Sequence, residues 1–385
     1  MHRESLERAR EWRRQLHRIP GTGFDVGRAG DFIADVCTTL GWEITRGIGG
    51  TGLVATLRSG TGTSVIGLRS DMDGLPLAED TGRAHASTVP GIMHACGHDG
   101  HMAMLLGTAA QLAEEPDFEG TVHLVFQPAE EPGTGAQAMI DDGLFERFPM
   151  DAMYGLHNIP GLPTGEVHVR SGAIMAAEDN FVIEITGRGG HASAPHLVID
   201  PIVIGAEVIL ALQTITARDI DPLHAVVVSC TELTTDGVRN AIPGQLTIRG
   251  DARTFSDEDS RIVEQRIREI SDGIAQAHRA GCEVAYSRSF RPTVNDPNCT
   301  DLLARAASDA LGDDRVLTDC APVTASEDFA AYARRLPACF AFLGVGTDAT
   351  PLHSRLYDFN DDALAAGIDL YRSIIRSALP RKATS

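Results

Sequence analysis

The chain has 385 residues and a formal net charge of −20, with 43% hydrophobic and 22% charged residues. That length exceeds what one ordinary core uses, so two domains are expected. The acidity argues against nucleic acid and anionic membranes as partners, because both are bound through basic patches.

The opening run Met1-His2-Arg3-Glu4-Ser5-Leu6-Glu7 has no apolar signal core. Arg3 to Leu16 has the spacing of an amphipathic helix, and a turn follows at Pro20-Gly21-Thr22-Gly23. Asp31 to Leu40 is again helical. Two β-rich runs come next, Gly52 to Leu57 and Ser64 to Arg69. Gly100 to Leu112 reads as a buried helix and Thr121 to Gln127 as a buried strand. Strands alternating with helices predict an α/β domain with a mostly parallel sheet.

Near Ala177 the pattern changes. Asn180 to Thr186 alternates as a half-buried strand. Asp200 is an N-cap candidate, with Pro201 at the first position of a helix reaching about Arg218. Its most apolar stretch, Pro201 to Leu212, is read as too short to cross a bilayer, and it contains Glu207. Strands at Ala225 to Cys230 and Gln245 to Arg253 precede a helix capped by Ser256 and ending near Ala280, then a strand at Cys282 to Ser287. That order is β-α-β-β-α-β, a ferredoxin-like unit. The expected organisation is a catalytic domain over 1–178 and 293–385, interrupted by an inserted α+β domain over 179–292. Seven cysteines without a CxxC pair do not suggest a disulfide framework. A reducing cytoplasm is the expected compartment.

Five clusters carry chemistry. The first is His94-Ala95-Cys96-Gly97-His98-Asp99-Gly100-His101, a thiol and an imidazole two residues apart before a helix. The helix terminus is expected to lower the thiol pKa. Taken alone, the run does not separate a metal site from a buried cysteine among histidines. The second is Gln127-Pro128-Ala129-Glu130-Glu131, two carboxylates directly after a strand, where open α/β sheets place their sites. An isolated Glu-Glu reads equally as a solvated pair. His157 in Tyr154-Gly155-Leu156-His157-Asn158 and His353 in Pro351-Leu352-His353-Ser354 are the third and fourth. The fifth is Asp71-Met72-Asp73, whose aspartates fit ligands, clamps or turn formers.

Together, in order and spacing, these motifs resemble the aminoacylase, hippurate hydrolase and auxin-conjugate hydrolase branch of a metallopeptidase family that also contains glutamate carboxypeptidase. The resemblance runs from His17-Arg18-Ile19-Pro20 to Asp358-Phe359. It implies two divalent metal ions, Zn²⁺ or Mn²⁺, held by Cys96, His98, Glu131, His157 and His353, with Cys96 bridging. It implies Glu130 as general base. His191, in Gly190-His191-Ala192-Ser193, resembles the histidine that stabilises the oxyanion in a partner subunit, which implies a homodimer. Asn240 and Arg253 resemble substrate-contacting positions, an arginine fork being suited to a carboxylate. Asp73 resembles a residue that orients an imidazole. The wider family has a ligating histidine where this chain has Asp71, so Asp71 is not expected to ligate. One departure is Gly21, where this branch has glutamate.

The implied activity is hydrolysis of an N-acyl amino acid, acetyl or aromatic acyl, to a carboxylate and a free amino acid. Dipeptidase or carboxypeptidase action and non-catalytic metal or metabolite binding are the alternatives. Ser229-Cys230-Thr231-Glu232 and Asp236-Gly237-Val238-Arg239-Asn240 also resemble deacetylases of acetylated diaminobutyrate.

Overall fold

The computed structural model describes residues 3–381. The chain divides into two compact units. One holds the residues up to Ile174, Val294–Ala321 and those from Asp328 onward; the other holds Met175–Thr293 and Pro322–Glu327. The boundaries expected after 178 and 292 compare with 174 and 293. The short return of 322–327 to the smaller unit has no periodic signal in the sequence.

The large unit is built on an eight-stranded sheet, in the spatial order Glu43–Ile48, Gly52–Ser59, Gly120–Gln127, Val65–Asp71, Ala152–Ile159, Ala338–Gly344, Val167–His168, Val316–Leu317. Its four central strands are mutually parallel. The hairpin Glu43–Ile48/Gly52–Ser59 adds antiparallel at one edge. Gly120–Gln127 is buried at every position, as a strand covered on both faces must be. Helix His98–Glu114 is buried from His98 to Leu112, which explains its run of Ala, Met and Leu without a polar stripe. Helices Arg3–His17 and Leu364–Ala378 pack against it. Leu105, Leu124, Phe126, Leu156, Ile368 and Tyr371 belong to one continuous core. All four central strands point their carboxyl ends the same way, toward the segments that carry Asp73, Glu130, His157 and His353.

The smaller unit is a four-stranded antiparallel sheet in the order Val227–Thr235, Gln245–Thr254, Ala177–Thr186, Gly281–Phe290. With helices Pro201–Leu212 and Asp257–Ala277 this gives the β-α-β-β-α-β order of a ferredoxin-like unit. Asp200 caps the first helix by accepting from Ile202 N, and Ser256 caps the second by accepting from Asp259 N. Its core, including Phe181, Ile183, Ile204, Val208, Ile248 and Ile267, is separate from that of the large unit. The apolar helix does not stop at Leu212. It continues through a π turn, Ile215–Asp219, so the run Pro201–Asp219 is long and apolar enough to cross a membrane by length and composition. A third of it is buried inside the unit, where Ile204, Val208, Leu212 and Ile215 face the core.

Candidate metal centre

Cys96 and His98 sit on the turn into helix His98–Glu114. Gly97 makes that turn with φ of 93°, in the left-handed region that glycine enters without strain. Glu130 and Glu131 follow strand Gly120–Gln127 on a loop entered through Ala129, whose φ is 52°. His353 also has a left-handed backbone, with φ of 61°. Such conformations cost a non-glycine residue about 1 kcal/mol or more and cluster at functional sites. His353 N–H donates to Ala95 O at 2.8 Å, which ties its loop to the Cys96 turn.

These segments converge. Donor atoms of Cys96, His98 and His157 lie within 4.8 Å of one another, as do those of Cys96, Glu131 and His353. A third group joins His98, Glu130 and Glu131. Cys96 belongs to both of the first two groups, the arrangement a bridging thiolate needs. Individual separations are 3.5 Å from Cys96 Sγ to His157 Nε2 and 3.7 Å from His353 Nε2 to Glu131 Oε2. Ligands bonded tetrahedrally to one Zn²⁺-sized ion stand roughly 3.3–3.8 Å apart.

The imidazole tautomers fit a metal. His98 Nδ1–H donates to Asp73 O at 2.7 Å, and His157 Nδ1–H donates to Asn158 O at 2.8 Å. A carbonyl can only accept, so each ring turns an Nε2 lone pair inward. His98 Nε2 and Glu131 Oε1 are buried and have no hydrogen-bond partner in the protein. Unpaired buried groups of this kind are costly unless an ion or water satisfies them.

Electrostatics agree. Burial opposes a charge on His98, but Asp71 and Cys96 outweigh it and hold its pKa well above the ordinary value. The position favours positive charge. Burial pushes Glu131 up to about 7; His98 opposes this, and Asp73 and Asp71 add to it. The expectation that the helix terminus lowers the Cys96 thiol is overturned. Burial pushes it far up, His98 only partly opposes this, and Glu131 and Glu130 add to the rise. A cation at the sulfur would reverse that balance.

Asp73 lies against an imidazole as expected, with its carboxylate 3.7 Å from His98 Nδ1, but the hydrogen bond comes from its backbone. Its backbone carbonyl orients His98, while its carboxylate accepts from Glu130 N at 3.0 Å and Glu131 N at 3.2 Å. Asp71 is held by Arg69 Nη1 at 2.9 Å and His101 Nδ1 at 2.6 Å, and its Oδ2 also lies 3.6 Å from His98 Nε2, so that Asp71, His98 and His101 form a further group of possible donors. Asp99 faces away and pairs with His17 Nδ1 at 2.8 Å. His101 and Asn158 stand inside the first and third sequence motifs and His17 at the start of the resemblance, while no sequence signal pointed to Tyr357; all four are fully buried. Gly21, at the departure from the family pattern, is packed so that a Cβ would lie 1.7 Å from Asp25 O. This backbone admits no larger residue there.

His191, Asn240 and Arg253 lie in the smaller unit. His191 pairs with Ala241 in a two-residue ladder, and Ala192 N donates to Asn240 O, which brings His191 and Asn240 together. Ser193 N donates to His191 Nδ1 at 3.1 Å, so the neutral ring carries its proton on Nε2, and the residue is exposed. Arg253 stands apart from this pair. Its guanidinium is engaged by Glu178 at 2.8 Å, Asp251 at 2.9 Å and Ser326 Oγ at 2.9 Å, so it is not an open carboxylate fork.

The model of Peptidase family M20/M25/M40 matches residues 67–377. The chain belongs to this family. It is 38% identical to a hippurate hydrolase from Campylobacter jejuni, over 94% of each chain. It is 37% identical to an N-acetyl-L-cysteine deacetylase from Bacillus subtilis, over 94% of this chain and 86% of that one. In structure it resembles a dinuclear metal binding peptidase of the M20 family from Bacillus subtilis, with a TM-score of 0.84 and 30% identity over 97% and 98% of the two chains.

Proposed function

We propose that this M20-family chain is a dinuclear metal-dependent amidohydrolase that cleaves N-acyl amino acids to a carboxylate and a free amino acid. The observation that carries this reading is the sharing of Cys96 between two donor groups, with Glu130 beside them. The names of its relatives, hippurate hydrolase and N-acetyl-L-cysteine deacetylase, support the same substrate class.

Cys96, His98 and His157 would hold one ion, and Cys96, Glu131 and His353 the other. When bound, the ions supply Lewis acidity to the amide carbonyl and acidity to water. Thiolate and imidazole donors suit Zn²⁺, and the carboxylate also suits Mn²⁺. Glu130 acts as the proton carrier: it accepts a proton from the attacking water and returns it to the leaving amine. Its Oε2 lies 3.9 Å from His98 Nε2, next to the donors, and its backbone is held by Asp73.

His191 is the proposed oxyanion donor, acting from a second copy of the chain. The tautomer supports it, since the exposed ring carries its proton on Nε2. Exposed apolar side chains at Ile202, Val203 and Leu210 on helix Pro201–Leu212 support the smaller unit as the homodimer surface. A monomer with full activity in analytical ultracentrifugation would refute that part. Asn240, beside His191, is the proposed substrate contact. Arg253 reaches a substrate carboxylate only by giving up Glu178 or Asp251.

The deciding experiment is steady-state kinetics on N-acetyl and N-benzoyl amino acids, including hippurate and N-acetyl-diaminobutyrate, beside plain dipeptides. Metal-dependent turnover of an N-acyl amino acid, at least tenfold above any dipeptide, is expected. Preference for N-acetyl-diaminobutyrate over hippurate would identify the finer activity. Turnover of dipeptides alone would replace the proposal with peptidase action.

A further inference from the structure

Metal ligands on separate segments give a defined centre only if those segments are held to each other within about 0.5 Å. Asn158 makes contact with three of them. It is fully buried at the end of strand Ala152–Ile159. Its backbone carbonyl accepts from His157 Nδ1–H at 2.8 Å and so sets that ligand's tautomer. Its side-chain Oδ1 lies 2.6 Å from Nε2 of His101, one helical turn beyond His98. Its Nδ2 donates to the Tyr357 hydroxyl at 2.7 Å, four residues after His353. The amide also lies against the turn between Cys96 and His98: a Cβ on Gly97 would come 2.4 Å from Asn158 Oδ1.

The chain of contacts continues. His101 Nδ1 lies 2.6 Å from Asp71 Oδ1, and Asp71 Oδ2 accepts from Arg69 at 2.9 Å. Arg69 and Gln127 both donate to Asp328, and Gln127 ends the strand that delivers Glu130 and Glu131. Every ligand-bearing segment thus places a second residue in one buried hydrogen-bonded network, and Asn158 is where three of its branches meet.

We propose, on the dinuclear reading above, that Asn158 is a positioning residue that fixes the ligand geometry of the metal centre. It touches no reacting atom; its side chain acts through His101 and Tyr357, and its contact with His157 is through the backbone carbonyl, which every residue supplies. Removing its amide leaves the buried Tyr357 hydroxyl without that partner and takes the Oδ1 contact from His101, whose Nε2 keeps only the Asn158 backbone N–H at 3.2 Å, so both neighbours are freed to shift. Partners standing behind metal ligands change affinity by about 10–100-fold when lost. A residue that serves only the stability of the fold would lower the melting temperature and leave metal affinity alone.

The test is Co²⁺ titration of the metal-stripped full-length protein, followed by visible absorption, with circular dichroism melting as the control for folding. Wild type is expected to take up two ions per chain; fewer would refute the dinuclear reading itself, whatever Asn158 does. Given two ions, Asn158→Ala is expected to bind Co²⁺ about 10–100-fold more weakly, with altered absorption bands. Tyr357→Phe, which removes only the hydroxyl, is expected to move in the same direction by less. The double variant is expected to be no weaker than Asn158→Ala alone, because the bond is already lost. Wild-type affinity and spectrum in the folded single variants would overturn the proposal. If Asn158→Ala does not fold, Tyr357→Phe decides alone: unaltered affinity overturns the proposal and weakened affinity supports it.

Discussion

Both carboxylate oxygens of Asp73 are committed to backbone amides, those of Glu130 and Glu131. Asp73→Asn replaces one acceptor by a donor, which then faces an N–H. The Glu130-Glu131 turn should shift, and kcat should fall on the order of 10–100-fold, as for other residues that hold a metal ligand in place. Atomic absorption beside kinetics checks this; unchanged kcat would remove Asp73 from the positioning set. Glu130 and Cys96 separate cleanly by the same two measurements. Glu130→Gln keeps shape and loses the base, so metal content should stay near wild type while turnover falls by at least about 10²-fold. Cys96→Ser keeps volume and loses the soft donor shared by both groups, so metal content itself should drop. A Glu130→Gln enzyme with near-normal kcat would show that the proton carrier is another residue.

Helix Arg3–His17 is tied to helix His98–Glu114 by charge as well as packing. His17 Nδ1 lies 2.8 Å from Asp99 Oδ2, Arg13 Nη1 lies 3.5 Å from the same oxygen, and His17 Nε2 lies 3.3 Å from Glu79. Burial opposes the charge on His17, but Asp99 and Glu79 overcome it and raise its pKa to about 9. A raised imidazole pKa stabilises the fold fully below the unfolded value of 6.5, and that contribution is lost as pH rises through about 9. Asp99 is shifted the other way: burial raises its pKa, but His17 and Arg13 outweigh that and bring it down, so its contribution is lost only in strong acid. The two are jointly present from about pH 4 to 6.5. The His17 contribution is at most about 3 kcal/mol by this linkage. The melting-temperature gap between wild type and His17→Gln should therefore be widest near pH 6 and narrow by pH 9.5. A gap independent of pH would mean that His17 acts by packing alone. The helices themselves were legible in the sequence from periodicity and caps, Asp200 and Ser256 above all. Their tethers were not, because nothing in a linear pattern pairs position 17 with position 99.

At the scale of the molecule, the same distinction explains what the sequence conceals. The ligands stand in local motifs, and the β-α-β-β-α-β order of the smaller unit is a periodicity. The partners of Asn158 are 57 and 199 positions away, and they meet only because parallel strands end at one edge of the sheet. Strands of two residues, Val167–His168 and Val316–Leu317, are too short to alternate visibly. The long-range origin of the centre has a thermodynamic consequence. Ions held by the proposed ligands Cys96, Glu131, His157 and His353 would cross-link segments spread over more than half of the large unit's sequence, and all of those residues belong to that unit. The smaller unit has its own core and none of the proposed ligands. Each ion at about 100 times its dissociation constant adds about 2.7 kcal/mol to the state that binds it, so two add about 5 kcal/mol. At roughly 2–4 °C per kcal/mol, chelation should lower the melting temperature of the large unit by about 10–20 °C. Differential scanning calorimetry with and without EDTA should show this shift in wild type and Glu130→Gln, and largely lose it in Cys96→Ser. Equal EDTA shifts in all three proteins would place the stabilising ions somewhere other than the Cys96 centre.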